Sequence, residues 1–574
     1  MKKKQGGKGS IIGVCDCMIL LWLCFSAFDL CRSWNRWNFD KIWYLYLWKD
    51  NKEKVLTMPD EDFLGESLRK IAKGASIAFT GTFIGTALGY LSRMIIARFL
   101  GASDYGLISL GFAVMNIAAT LSLVGFNTGI QRFVSFYKGK GDEGRIKGTI
   151  FGALKICFPL SLIFTLLIFF YAGWISIHIF HSPGLTPVLR IFTIGVPFWV
   201  LATIFNSGTV GFQEIKYRVY STFIFKDTFK LIAIVTFLAL GCGVIGASVG
   251  WVLAIIGMSI LAFYFLEKRV FPILNTKVKA VSVDKELFFF SFPLIFAGLT
   301  GLITSWTDTL MLGYFCTPPE VGIYNVAAPT AKLMGIVLSA FGIIFMPVAT
   351  ELYARNREGD LRNTYSSVTK WIFAIVLPGF LLMALFSTSI IKIMFGAEYE
   401  EGAMALSILA FSYFVSALVG LASSLLTTYG RTKIVMGCGF VGAGSNVLFN
   451  FFLIPIYGIN GAAIATGSSV VLMSSLYLFF VYRIAKMQPF RLSYAKPLFA
   501  SLIAVSVGYA LTKYVIGVSL FSLAMMFFVF LALYFFLLLV LKSFEEEDLM
   551  IMRAIDQRLG TRSNWVREII KRFL

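Results

Sequence analysis

The sequence predicts an all-α polytopic membrane protein of about 14 transmembrane helices: two six-helix lobes related by a parallel repeat, plus two appended C-terminal helices. Three observations lead there. Of 574 residues, 58% are hydrophobic and 14% charged, against about 25% charged in a soluble chain. The apolar residues fall in runs of about 20, the length that crosses a hydrocarbon core. The chain also resembles itself at a spacing of 215–216 residues, the mark of a duplicated architecture.

Taken in order, residues 1–57 differ from the rest of the chain. Ile11 to Leu30 is apolar but interrupted by Asp16 and Asp29, which suits neither a spanning helix nor a signal peptide. Met58 is the expected initiator, with 1–57 a non-native or dispensable extension. An acidic, then basic amphipathic lead-in occupies 58–74. The N-lobe, 75–266, holds spans at 75–97, 105–129, 149–174, 190–212, 221–241 and 244–266. A cytoplasmic linker, 267–287, leads to the C-lobe, 288–482, with spans at 288–314, 321–347, 371–391, 402–427, 434–456 and 459–482. Spans at 497–517 and 520–541 make the appended pair within 497–541, and 542–574 form a tail. That tail is acidic at Glu545, Glu546, Glu547 and Asp548, then basic and amphipathic, the pattern of a helix lying at a lipid surface.

Charge orients the spans. Connections after even-numbered spans hold 22 Lys and Arg, and those after odd-numbered spans hold Arg98, Arg190, Lys392 and Lys513. Positive residues stay inside, so the even connections and both termini are expected in the cytoplasm. The net charge of +20 is spread between apolar runs rather than gathered in one patch. It reads as topology signal and contact with anionic headgroups, not as nucleic-acid binding.

The repeat is read in register at four places. Asp104-Tyr-Gly-Leu107 returns as Glu320-Val-Gly-Ile323, and Tyr137–Asp142 returns as Tyr353–Glu358. Lys216 and Arg218 return as Arg431 and Lys433, and Gly243–Ala247 as Gly458–Ala462. Six helices per repeat leave both halves in one orientation, related by an axis along the membrane normal. Such lobes enclose a site at mid-membrane and rock around it. No cofactor is expected, since no phosphate-binding loop occurs. No metal site is expected either: Cys15 and Cys17 lack a second pair, and His178 and His181 lack a third ligand.

Three segments carry a family resemblance: the run from Arg93 to Gly106, the run from Asn446 to Thr466 (NVLFNFFLIPIYGINGAAIAT), and Phe395-Gly-Ala-Glu-Tyr399. Together they resemble the polysaccharide and O-antigen flippases, over roughly residues 66–542. That group shares a superfamily with lipid II flippases and multidrug-and-toxin extrusion antiporters. The resemblance implies outward movement of polyprenyl-diphosphate-linked oligosaccharide by alternating access, with membrane lipids and this lipid-linked substrate as partners. It implies a non-enzyme in the cell membrane, monomeric, working beside glycosyltransferases. The alternative is a cation-coupled multidrug-type antiporter, which would use an acidic residue deep in its first helix. Asp and Glu are absent from 75–97.

Charged side chains inside a bilayer are costly and mark function. Arg93, toward the outer part of the first span, looks like the arginine that lipid II flippases hold in their cavity, and its fork suits a diphosphate. Snorkelling to headgroups is the competing account. Lys332 in span 8 and Asp308 at the end of span 7 are candidates for an anion contact and its partner. Asn446 and Asn450 share a face of span 11 and are candidates for headgroup contact or interhelical hydrogen bonding. Lys226 and Lys230, read as opening span 5, are candidates for the cytoplasmic entrance.

Overall fold

The computed structural model describes residues 61–543 except 275–277, 491 and 512–519. The expectations for residues 1–57 and for the tail beyond Ser543 lie outside the described residues. The chain divides into two compact units, Met1–Leu68 and Arg69–Leu574, and the lobes and the site belong to the second.

Helix is the dominant element because apolar chain in lipid must satisfy its backbone within each segment. The N-terminal half runs α1 (Glu61–Leu123), α2 (Phe126–Lys140), α3 (Glu143–Trp174), α4 (Leu185–Gly211), α5 (Ile215–Val219), α6 (Lys226–Ala239) and α7 (Gly243–Phe265). Next come α8 (Asp284–Ser291), α9 (Leu294–Phe315), α10 (Pro318–Lys332), α11 (Met334–Ala354), α12 (Glu358–Leu385) and α13 (Ser387–Met394). The last are α14 (Gly402–Val419), α15 (Ala422–Thr428), α16 (Thr432–Ala485), α17 (Ala495–Leu511) and α18 (Leu520–Val540).

Among the described residues, nine helices are long and apolar enough to cross a membrane. Two of them contain a sharp turn. In α16, Gly458 has φ 53° and ψ −126°, a conformation open to glycine and little else. Asn446 and Thr466, about 30 Å apart on a straight helix of this length, are in hydrogen-bond contact at 2.9 Å. In α1, Gly101 has φ 82° and ψ 175°, and the chain doubles back there in the same way. The expected stretches lie largely in helix where they are described, with breaks at residues 124–125, 292–293, 333, 386 and 420–421.

Several stretches differ in detail from the hydropathy reading, the fifth and eighth among them. The fifth passage starts at Ile215 and runs through a π-helical turn, Tyr220–Phe225, into α6. The eighth is broken at Leu333, where α10 ends and α11 begins.

The repeat is visible in the backbone. Gly243 and Gly458 both take positive φ, at 55° and 53°, and so do Gly141 and Asn356, at 70° and 55°. Gly101 corresponds to Thr317, where α9 has ended and α10 is capped by a Thr317–Glu320 capping box. The packing repeats too: α4 lies on α7 as α14 lies on α16.

One core joins the N-terminal helices to Val321–Ala331, Ile391–Leu409 and Ile454–Ala463. A separate core holds Met334, Phe345, Leu361, Tyr365, Leu425 and Val481. The lobes therefore share a core at one end, and the C-lobe keeps its own at the other. The appended pair packs on α12 through Leu381 and Leu382, with the Tyr534 hydroxyl donating to the Ala374 carbonyl at 2.7 Å.

Candidate functional site

A single charge in the apolar α9 organises one cluster. Asp308 is buried, and a buried carboxylate needs donors. It has four. Tyr324 of α10 donates to Oδ2 at 2.5 Å and Thr466 at 2.6 Å. Asn450 and Asn446 donate to Oδ1 at 2.7 and 3.1 Å. Four passages, the seventh, eighth, eleventh and twelfth, are tied together at one point, and the Gly458 turn brings Thr466 beside Asn446. The amide oxygens of Asn446 and Asn450 are buried without donors. Two donors on each carboxylate oxygen meet the charge of Asp308 within the cluster.

A basic group forms a second cluster. Lys230 is buried and bonds Asp227 at 2.8 Å, while Lys226 meets the same carboxylate oxygen at 3.6 Å. Lys230 Nζ lies 3.8 Å from where a Cβ on Gly89 would stand, so the Lys–Asp pair packs against α1 at this glycine. Arg93, one turn further along α1, is half-buried beside the Tyr105 hydroxyl. It acts electrostatically on both Lys230 and Lys332. Lys332, at the α10–α11 break, also acts on Asp308, and it is solvent-exposed although deep within the protein. Solvent-accessible space therefore reaches Lys332 between the lobes. Lys226 and Lys230 lie well inside the fifth passage, about three and four turns after Ile215, rather than at its opening.

One end of this space is closed. Gly106 and Gly322 face each other: a Cβ on Gly106 would overlap the Pro318 carbonyl, and one on Gly322 would overlap the Ala102 carbonyl. Around them, Tyr105 donates to the Asn325 carbonyl at 3.2 Å, and the Tyr90 and Thr330 hydroxyls pair at 2.8 Å. Arg98 hydrogen-bonds the Met394 carbonyl at 2.9 Å and the Ile393 carbonyl, satisfying the last carbonyls of α13. Tyr399 donates to the Ala97 carbonyl at 3.0 Å. The 93–106 and 395–399 segments noted in the sequence thus bind one another.

Of the candidate residues, Asp308, Asn446 and Asn450 come together directly. Arg93, Lys230 and Lys332 share one electrostatic centre, and Lys226 joins it through Asp227. Tyr324 and Thr466 were not singled out in the sequence, although Thr466 closes the motif that contains both asparagines. Tyr324 sits four residues before Ala328 in an apolar run and carries no distinguishing pattern.

The model of a polysaccharide biosynthesis protein family matches residues 71–353, and that of the MatE family matches 293–452. Among curated relatives, an uncharacterized membrane protein of Methanocaldococcus jannaschii is 26% identical over 73% of this chain and 85% of its own. A probable low-salt glycan biosynthesis flippase of Haloferax volcanii is 23% identical, covering 71% and 82%. A putative O-antigen transporter of Shigella flexneri is 22% identical, covering 68% and 93%. Among solved structures, a lipid II flippase in an inward closed conformation superposes with TM-score 0.63 at 18% identity, covering 80% of this chain and 97% of that one. An inward-facing multidrug resistance transporter of the MATE family, of the MOP superfamily, gives 0.58 at 15%, covering 71% and 98%.

Proposed function

We propose, for a chain that belongs to the polysaccharide and O-antigen flippase family, that it flips a polyprenyl-diphosphate-linked oligosaccharide from the cytoplasmic to the outer leaflet by alternating access. The carrying observation is the basic centre between the lobes. Arg93, Lys226, Lys230 and Lys332 stand against Asp227 and Asp308. Four cations less two carboxylates leaves two positive charges, the complement of a diphosphate. Arg93 supplies the bidentate fork and the lysines supply point charges.

The end closed by Gly106 and Gly322 is then the outer end, and the open end faces the cytoplasm, where the even-numbered connections and both termini lie. With the interior negative, each negative charge carried outward gains about 2.3 kcal/mol per 100 mV. The protein works as a monomer in the cell membrane, supplied by glycosyltransferases. The multidrug antiporter reading draws on likeness of fold. An exporter of cationic drugs would have to bind them against this net positive charge, so the flippase reading is preferred.

The test is transport in reconstituted vesicles of a fluorescent, short-chain polyprenyl-diphosphate disaccharide, read by its accessibility to a membrane-impermeant quencher. Saturable movement across the bilayer is expected. Absence of movement, together with export of a cationic dye, would replace the flippase reading with the antiporter.

A further inference from the structure

We infer that an aromatic group beside the basic centre is the subsite for the sugar portion of the substrate; this rests on the flippase reading. Four rings from three other helices meet around Phe112 of α1. Trp251 of α7 lies 4.6 Å from it between centroids, Trp306 of α9 5.5 Å, Phe192 of α4 6.1 Å, and Trp199 of α4 6.3 Å. Trp251 and Phe192 are buried and form the floor. Phe112, Trp199 and Trp306 are half-buried and keep part of their surfaces open.

Charge adjoins the rings directly. Lys230 Nζ lies 4.9 Å from the Trp251 centroid, and Lys226 Nζ lies 5.7 Å from that of Trp199. The same two lysines hold Asp227, both on Oδ1.

A hexopyranose is the ligand class this combination fits. Its ring presents a face of C–H bonds with partial positive charge, which the negative face of an indole attracts, and a rim of hydroxyls that need donors and acceptors. A bare lipid tail would have no use for a buried Lys–Asp–Lys group. A bare diphosphate would have no use for tryptophan faces. The two features adjoin each other, and Lys230 links them to Arg93. The sugar attached to a diphosphate held at Arg93 is therefore within reach of Trp199 and Trp306. These two come from different lobes, so the sugar touches both halves while the lipid-linked phosphates lie at the seam.

Calorimetry on the full chain in lipid nanodiscs tests this with two probes: farnesyl diphosphate, and farnesyl diphosphate carrying a di-N-acetylhexosamine. The wild type should bind the sugar-bearing probe more tightly. Trp199→Leu and Trp306→Leu should each weaken that probe about fivefold, the scale of one aromatic face, and leave farnesyl diphosphate unchanged. Trp199→Phe and Trp306→Phe, which keep a ring, should retain most of the sugar gain and keep the test readable if a leucine variant fails to fold. Arg93→Ala should weaken both probes alike. If the leucine variants affect both probes equally or neither, or if the sugar adds nothing to wild-type binding, the subsite is overturned. If the wild type binds neither probe, the flippase reading falls, and the subsite with it.

Discussion

Arg93 lies eight residues before the Gly101 turn, about 12 Å along its helix, and Arg98, not Arg93, hydrogen-bonds the last carbonyls of α13. Arg93→Ala should therefore abolish flipping while leaving folding and insertion intact, and Arg93→Lys should retain part of the rate because a point charge keeps attraction without the fork. Vesicle transport separates these outcomes, and wild-type rates in the alanine variant would return Arg93 to a headgroup role. Asp308 makes a different prediction. Asn450→Ala removes one donor from a buried carboxylate and should lower stability by about 1–3 kcal/mol, read as a lower unfolding temperature in detergent. Tyr324→Phe should cost about 1 kcal/mol by the same reasoning. An unchanged melting point in Asn450→Ala would show that the network is not holding the four passages together. Much of this site was legible in the sequence. A lone aspartate in an apolar run needs donors, and two asparagines four apart share a face. The tryptophans were not legible, because a ring lining a cavity and a ring packed in a core have the same spacing along a helix.

At the scale of elements, most departures from the hydropathy reading have a local cause. The fifth passage begins early because Lys216 and Arg218 mask an amphipathic first turn, and the π turn at Tyr220–Phe225 re-aims the helix beyond it. Extra residues of this kind occur where a helix must present side chains to a site, and here Lys226, Asp227 and Lys230 come directly after it. The Gly101 and Gly458 turns were legible as gaps between apolar runs, whereas the closeness of Gly106 to Gly322 was not, since nothing in either segment names its neighbour. Gly106→Ala should force the two backbones apart at the closed end. A reporter at Thr330→Cys, buried against Tyr90 in the wild type, should then react several-fold faster with a small thiol reagent. An unchanged rate would mean that the contact yields without opening the end.

For the whole molecule, orientation rests on the distribution of Lys and Arg and can be tested directly. With native cysteines replaced, single cysteines at Gly184 and Pro319 should react with an impermeant thiol reagent added to intact cells. Those at Gly141 and Gly359 should react only after the membrane is opened. Labelling of the Gly141 position from outside would invert the assignment of the closed end. The contact at that end has a further consequence. Gly106 meets Pro318 and Gly322, and Gly322 meets Ala102 and Gly106, while residues 102 and 106 are the repeat images of 318 and 322. The contact is self-complementary in the sense of a two-fold dimer: each half supplies the surroundings that its counterpart supplies in return. Two separate half-length chains could meet through this same surface with no new geometry, so fusing them into one chain would preserve an interface that already closed. A substitution on one side is then felt by both halves, which binds these two short segments of the chain to a common history.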